Sequence, residues 1–317
     1  MIRILSIVTH LDTLLNYLKP SFYKFEKENK NFHVDLVKMK KANVKIAVFA
    51  IFVNPQLPAF DIINRTIELI DLFYSHIEKH SDILLIKDYQ DINKVYSQNK
   101  IGIILAIEGG ASIFNLSILR VLYKLGIRML SLTWNCRNQL ADGVSVIKNS
   151  KKISSLGKEV LDEMINMKMI LDISHLSRYN FWEIFNNYKI PLLASHSNVS
   201  SLCNHQRNLD DKQIIAIKKS KGLIAINFYP PFLNKNNKVD INTVVEHIDY
   251  IKEIIGVEYI ALGTDYDGIE KTPSGLEDIS KISNLEYLLR EKNYSNNEIK
   301  KIYHDNALNF FKNFWRE

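Results

Sequence analysis

The chain has 317 residues, 46% hydrophobic and 24% charged, an ordinary globular composition with enough apolar residues for a large core. Its formal net charge of +6 is carried by lysines that alternate with Asp and Glu instead of forming blocks, which argues against a nucleic-acid stripe. The only cysteines, Cys136 and Cys203, provide neither a disulfide framework nor a CxxC zinc pair; each is expected to be a buried, inert thiol, and a reduced cytoplasmic compartment fits.

In chain order, the N-terminal apolar run is only about six residues long before His10 and Asp12, and it lacks the h-region and cleavage site of a signal peptide. No run approaches the roughly 20 apolar residues of a membrane span. Short runs rich in Ile, Val, Leu and Phe then recur: ILSIVTH, KIAVFAIFV, IGIILAIEGG, IRMLSLTWN, MILDISH, IPLLASHS, GLIAINFY and YIALGTDYDG. These eight runs are continuous, not alternating, as suits parallel strands covered on both faces.

Helix-period segments lie between most of them. DIINRTIELIDLFYSHIEKH repeats apolar residues at three and four, and LSILRVLYKLG predicts a helix stopped by Gly126. SRYNFWEIFNNYK and DDKQIIAIKKSKG predict helices capped by Ser177 and Asp210, and TVVEHIDYIKEIIG predicts one that ends at Gly256. LNKNNKVDINT reads as one loop. Ser283 with Glu286, and Ser295 with Glu298, fit capping boxes ahead of a final helical segment. Eight buried strands alternating with helices point to an α/β fold, a (β/α)8 TIM barrel forming a single domain over 1–317. An open doubly wound sheet is disfavoured because no G-x-G-x-x-G follows the first strand.

Barrel enzymes place their chemistry at the C-terminal ends of the strands. Here the first strand ends in His10 and Asp12, the third in Glu108, the fifth in His175, the sixth in His196 and the eighth in Asp265. Each has a plain alternative. His10 fits a turn and Asp12 the N-cap of a helix starting at Thr13, Glu108 fits a turn before Gly109-Gly110, and a lone His175 or His196 fits a hydrogen-bonded core residue. Together, imidazoles and carboxylates converging on one rim suit zinc or a similar divalent ion, and one carboxylate bridging two ions accounts for the odd number of ligands. In an extended chain, residues i and i+2 share a face, so H-x-D can aim both side chains at one ion.

The blocks H-L-D-T-L, A-I-E-G-G-A-S-I, D-I-S-H-L-S, A-S-H-S-N, R-N-L-D-D and G-T-D-Y-D-G, in this order along nearly the whole chain, resemble the membrane (renal) dipeptidase family in its bacterial form. The resemblance implies a binuclear zinc dipeptidase on a TIM barrel that hydrolyses dipeptides, often those with a C-terminal D-residue. It assigns His10 and Asp12 to one zinc, His175 and His196 to the other, and Glu108 to both. It places Arg207 and Asp265 against the substrate, with Tyr229 helping to hold the free amino group. Two positions depart from the family pattern. Val8 replaces a leading aspartate, which is expected to weaken support around the site. Trp134 stands where mammalian-type members have a substrate-contacting histidine, although bacterial-type sequences look similar there.

The expected mechanism is attack by a metal-bridging hydroxide on the scissile carbonyl. Asp265 would pass a proton to the leaving amine, and Arg207 would grip the substrate carboxylate unless it forms a surface bridge to Asp210 or Asp211. The expected partner is a small dipeptide, with neither nucleic acid nor membrane; a homodimer stays open. The alternatives are another metal-dependent hydrolase acting on a cyclic amide, lactone or phosphoester, and a non-catalytic barrel binding protein. A serine hydrolase is disfavoured because G-x-S-x-G is absent, and no Cys-His-Asn ordering is evident.

Overall fold

A computed structural model describes residues 4–19, 23–236 and 238–316. The strands are β1 (Ser6–Leu11), β2 (Val44–Phe52), β3 (Ile83–Leu85), β4 (Ile101–Glu108), β5 (Ile127–Ser131), β6 (Ile170–Asp172), β7 (Leu193–Ala194), β8 (Leu223–Ile226) and β9 (Ile260–Leu262). All pair in parallel, and β2 meets β4 along Ile46–Phe52 to close the sheet. The closed ring is β1, β2 and β4 to β9, a (β/α)8 barrel built from the eight apolar runs of the sequence. The unexpected strand β3 lies outside the ring. It pairs with Ile101–Ile103 of β4, below the point where β5 joins the same edge.

Strand residues alternate between two apolar layers. Ile7, Ile46, Val48, Ile104, Ala106, Met129 and Ala225 belong to a cluster that fills the barrel, and Val8, Ala47, Phe49, Leu105 and Leu262 belong to the cluster shared with the surrounding helices. The inner cluster continues into Phe310, Phe311 and Trp315 of helix Asn306–Arg316. The Trp315 indole N–H donates to Lys168 O at 3.1 Å, just before β6, so this amphipathic helix plugs the end where the strands begin. Each buried apolar side chain contributes about 1.5–3 kcal/mol, which leaves the opposite rim free to carry polar groups.

The predicted helix ends hold at most sites. Ser177 accepts from Asn180 N, Asp210 forms a capping box with Gln213, Ser295 forms one with Glu298, and Gly126 and Gly256 have φ of +96° and +93°. The Ser283 box does not form. Ser283 lies inside helix Ile282–Glu291, Asp278 caps the 3-10 turn ahead of it, and Glu286 pairs with Arg290 at 2.8 Å. The segment read as one loop over 233–243 begins in the short helix Pro230–Leu233 and ends in helix Ile241–Ile255, capped by Asp240; residue 237 lies outside the described residues, as do residues 1–3 of the N-terminal run. Cys203 is buried, whereas Cys136 is exposed. Among the described residues, no helix is long and apolar enough to cross a membrane.

Candidate metal centre and substrate cleft

The rim gathers the predicted residues, by more varied means than strand alternation. Between Val8 and Leu11 the β1 register slips, three steps on β1 matching two on β2. Such a bulge re-aims a side chain. Thr9 Oγ1 reaches Ser195 O at 2.7 Å across the barrel, and His10 reaches the same interior. Asp12 has already left the strand (φ −94°, ψ 27°). It holds the N-cap position of the 3-10 turn Thr13–Leu18 without making a cap bond, so its carboxylate is free for the site. Glu108 is the last residue of β4; His175, His196 and Asp265 lie two or three residues beyond β6, β7 and β9. His175 and Asp265 stand at φ +66° and +63°, a left-handed conformation costing about 1–2 kcal/mol for residues with a Cβ.

Around Glu108 the ligand atoms nearly touch. His175 Nε2 is 3.0 Å and His196 Nε2 3.6 Å from Glu108 Oε1, while His10 Nε2 is 3.5 Å from Oε2 and 3.4 Å from Asp12 Oδ2. His10 Nε2 also lies 3.9 Å from Asp265 Oδ1. The network behind the histidines sets their tautomers. Ser195 Oγ donates its single proton to Asp172 Oδ2 at 2.5 Å, so it accepts from His196 Nδ1–H at 2.8 Å. His175 Nδ1–H donates to Asn135 Oδ1 at 2.8 Å. Both Nε2 lone pairs therefore face each other, 2.9 Å apart, and face Glu108 with no proton to share. Such a set of acceptors is stable around a cation.

The remaining electrostatics agree. Burial, then the charges of Arg207 and His10, keeps His175 neutral despite Glu108, with a pKa lowered to about 3, and burial also holds His196 well below the imidazole range. Burial and the charge of Glu108 push Asp12 well above the carboxylate range; burial also raises Asp265. Glu108 stays ionised against its own burial chiefly because His10 faces it, and His10 is raised despite burial by Glu108 and Asp12. His10 Nε2 and Asp12 Oδ1 are buried without a hydrogen-bond partner. Three overlapping triads bring ligand atoms within 4.8 Å of one another: His10, Asp12 and Glu108; Glu108, His175 and His196; and His10, His196 and Asp265. The donor set of imidazole nitrogens and carboxylate oxygens fits zinc or another borderline divalent ion.

A cleft of about 390 Å³ opens above this cluster, walled by Phe52, Trp134, Arg207, Tyr229, Phe232 and Asp265. Trp134 packs between Phe52 and His175, with ring centroids 5.1 and 5.9 Å away. Arg207 is 4% exposed. Its Nη2 donates to His196 O at 3.1 Å, its Nε has no partner, and burial lowers its pKa only to about 10, so it remains a cation. The surface bridge considered for it does not form: Asp210 lies 3.5 Å from Arg178, and Asp211 accepts from Tyr250. Asn227 joins two site residues, its Nδ2 donating to Asp265 Oδ2 at 2.8 Å and its Oδ1 accepting from Tyr229 N at 2.6 Å.

The position of Val8 corrects one expectation. Its side chain faces the helix layer beside Ala47 and Leu262, so valine removes nothing from the polar network of this site. Support comes instead from Asn135, Asp172, Ser195 and Asn227, which sequence reasoning passed over. Asp172 and Ser195 stand inside the D-I-S-H and A-S-H-S blocks, a signal of place but not of partnership.

The sequence profile of Membrane dipeptidase (Peptidase family M19) matches residues 1–315. An uncharacterized dipeptidase of Schizosaccharomyces pombe is 32% identical over 302 residues, covering 90% of this chain and 72% of that protein. The dipeptidase aclJ of Aspergillus oryzae is 32% identical over 265 residues, 80% of this chain and 63% of that one. Among solved structures, a metallo peptidase from Rhodobacter sphaeroides liganded with a phosphinate mimic of the dipeptide L-Ala-D-Ala superposes with a TM-score of 0.91 at 22% identity, covering 99% of this chain and 100% of that one. With its profile matched from end to end, the chain belongs to the membrane dipeptidase family, peptidase family M19, whose members are hydrolases acting on the peptide bonds of dipeptides.

Proposed function

We propose that the chain is a binuclear zinc dipeptidase, one hydrolase domain over 1–317, in which His10 and Asp12 hold one ion, His175 and His196 a second, and Glu108 both. The observation that carries this reading is the convergence of imidazole and carboxylate ligand atoms on the two oxygens of Glu108, with the Nε2 lone pairs of His175 and His196 unprotonated, beneath a cleft that holds a buried, partly unpartnered arginine. When bound, the ions would supply Lewis acidity that lowers the pKa of a water toward neutrality and polarises the scissile carbonyl.

The protein's own groups do the rest. Arg207 pairs its planar fork with the substrate's terminal carboxylate, which limits the substrate to a short peptide lying between that anchor and the ligand cluster. Tyr229 lines the wall where the free amino group lies, and Trp134 with Phe52 closes an apolar side that excludes water. Asp265 is raised by burial and held by Asn227, so it is suited to take a proton from the attacking water and deliver it to the leaving amine. The unpartnered Nε of Arg207 favours this substrate over a neutral lactone.

Amidating the C-terminus of a good substrate removes the charge that Arg207 is proposed to bind. Affinity is then expected to fall by about 2–5 kcal/mol, seen as a rise in KM for the L-Ala-L-Ala and L-Ala-D-Ala amides over the free acids. Equal kcat/KM for acid and amide would remove Arg207 from this role.

A further inference from the structure

Asp267, the second aspartate of G-T-D-Y-D-G, is buried and has no part in the proposed chemistry. Asp265 and Asp267 both stand in the left-handed region, at φ +63° and +70°, which residues with a Cβ keep only where their surroundings hold them. The loop is fastened on two sides. Toward β1, Asp12 N donates to Tyr266 O at 3.0 Å and Asp265 N to His10 O at 3.3 Å. Gly268 then packs directly on the site: a Cβ there would lie 2.1 Å from Asp12 Oδ2 and 2.9 Å from Asp265 Oδ1.

On the other side Asp267 and His33 grip each other reciprocally. His33 N donates to Asp267 Oδ1 at 2.8 Å, Asp267 N donates to His33 Nδ1 at 3.0 Å, and Thr13 Oγ1 donates to Asp267 Oδ2 at 3.1 Å. His33 comes from the segment before helix Leu36–Lys41, 234 positions away in sequence, so this pairing is a tertiary lock and not a local turn.

We infer that Asp267 and His33 form a clamp that positions Asp265 for proton transfer, a role that rests on the proposed function of Asp265. They are positioning residues, since neither lines the cleft. With the clamp intact, Asp267 cannot relax from its left-handed backbone, and the two-residue link to Asp265 is held with it. Released, Asp265 keeps its Asn227 bond but loses the fixed direction a proton relay needs. Substrate affinity depends on Arg207, on a different loop, so kcat falls and KM does not.

The test compares Asp267→Ala and His33→Ala with the conservative Asp267→Asn and His33→Asn. The amide oxygen introduced at 267 still accepts from His33 N–H, and the one introduced at 33 replaces Nδ1 as acceptor for Asp267 N–H. Hydrolysis of L-Ala-L-Ala and L-Ala-D-Ala, metal content and a crystal structure of His33→Ala are read together. The alanine variants are expected to lose at least about tenfold in kcat, with KM within about twofold, metal content unchanged and most of kcat restored by asparagine. In the crystal structure Asp265 is expected to be displaced.

Wild-type kcat in the alanine variants, metal loss in step with kcat, or an undisplaced Asp265 would each overturn the clamp. His33 has a side chain 23% exposed, so His33→Ala decides the matter if Asp267→Ala fails to fold. A wild-type protein inactive on both dipeptides would instead overturn the dipeptidase reading, leaving the crystal structure to judge the clamp.

Discussion

Glu108→Gln is expected to hold one ion where the wild type holds two, and to lose at least about a hundredfold in turnover. The substitution keeps shape and volume but removes the negative charge proposed to lie between two dications, so their mutual repulsion is less well offset. It also removes the charge that offsets His10. Folding should survive, because Glu108 sits at the rim while the packed inner and outer layers carry the barrel. Metal analysis beside steady-state kinetics checks the point: two tightly held ions with near-normal hydrolysis in the variant would rule out the bridging role.

Asp265→Asn is expected to separate chemistry from metal binding. Asparagine tolerates the left-handed backbone at this position, and its amide oxygen can still accept from Asn227 Nδ2. What it cannot do is carry a proton. Turnover should fall by about 10²–10⁴-fold with both ions retained and KM little changed, as expected for loss of a general acid–base group. A variant within about tenfold of wild-type kcat would leave Asp265 a structural or metal-contacting role only.

The barrel was legible because each of its eight strands is apolar on both faces, a pattern that solvent-facing strands do not show. Strand β3 escaped notice because three residues, Ile-Leu-Leu, leave no period to read, and the strand pairs only with the lower end of β4 outside the closed ring. The rim residues were legible as chemical types at run ends, but the way they are aimed was not. Simple alternation does not place His10 with Asp12: a bulge turns His10 inward, and Asp12 lies on non-extended backbone. The left-handed backbone at His175 and Asp265 is likewise bonded to residues far away in sequence: Val144 N–H and the Thr133 hydroxyl donate to His175 O, and Asp265 N–H donates to His10 O.

Val8 shows the same limit. A motif position invites a reading as support for the site, yet neighbouring strands set which face a residue presents, and Val8 shares its face with Ala47 and Leu262. The groups that support the ligands, Asn135 behind His175 and the Asp172–Ser195 pair behind His196, meet only after the ring has closed.

The most direct measurement is the metal content of the purified wild-type protein, followed through chelation and reconstitution while hydrolysis of L-Ala-L-Ala and L-Ala-D-Ala is recorded. Two divalent ions per chain are expected, with loss of hydrolysis as they are removed and its return when zinc restores both. Undiminished dipeptide hydrolysis by the metal-free protein, or full activity with a single ion per chain, would contradict the binuclear zinc reading.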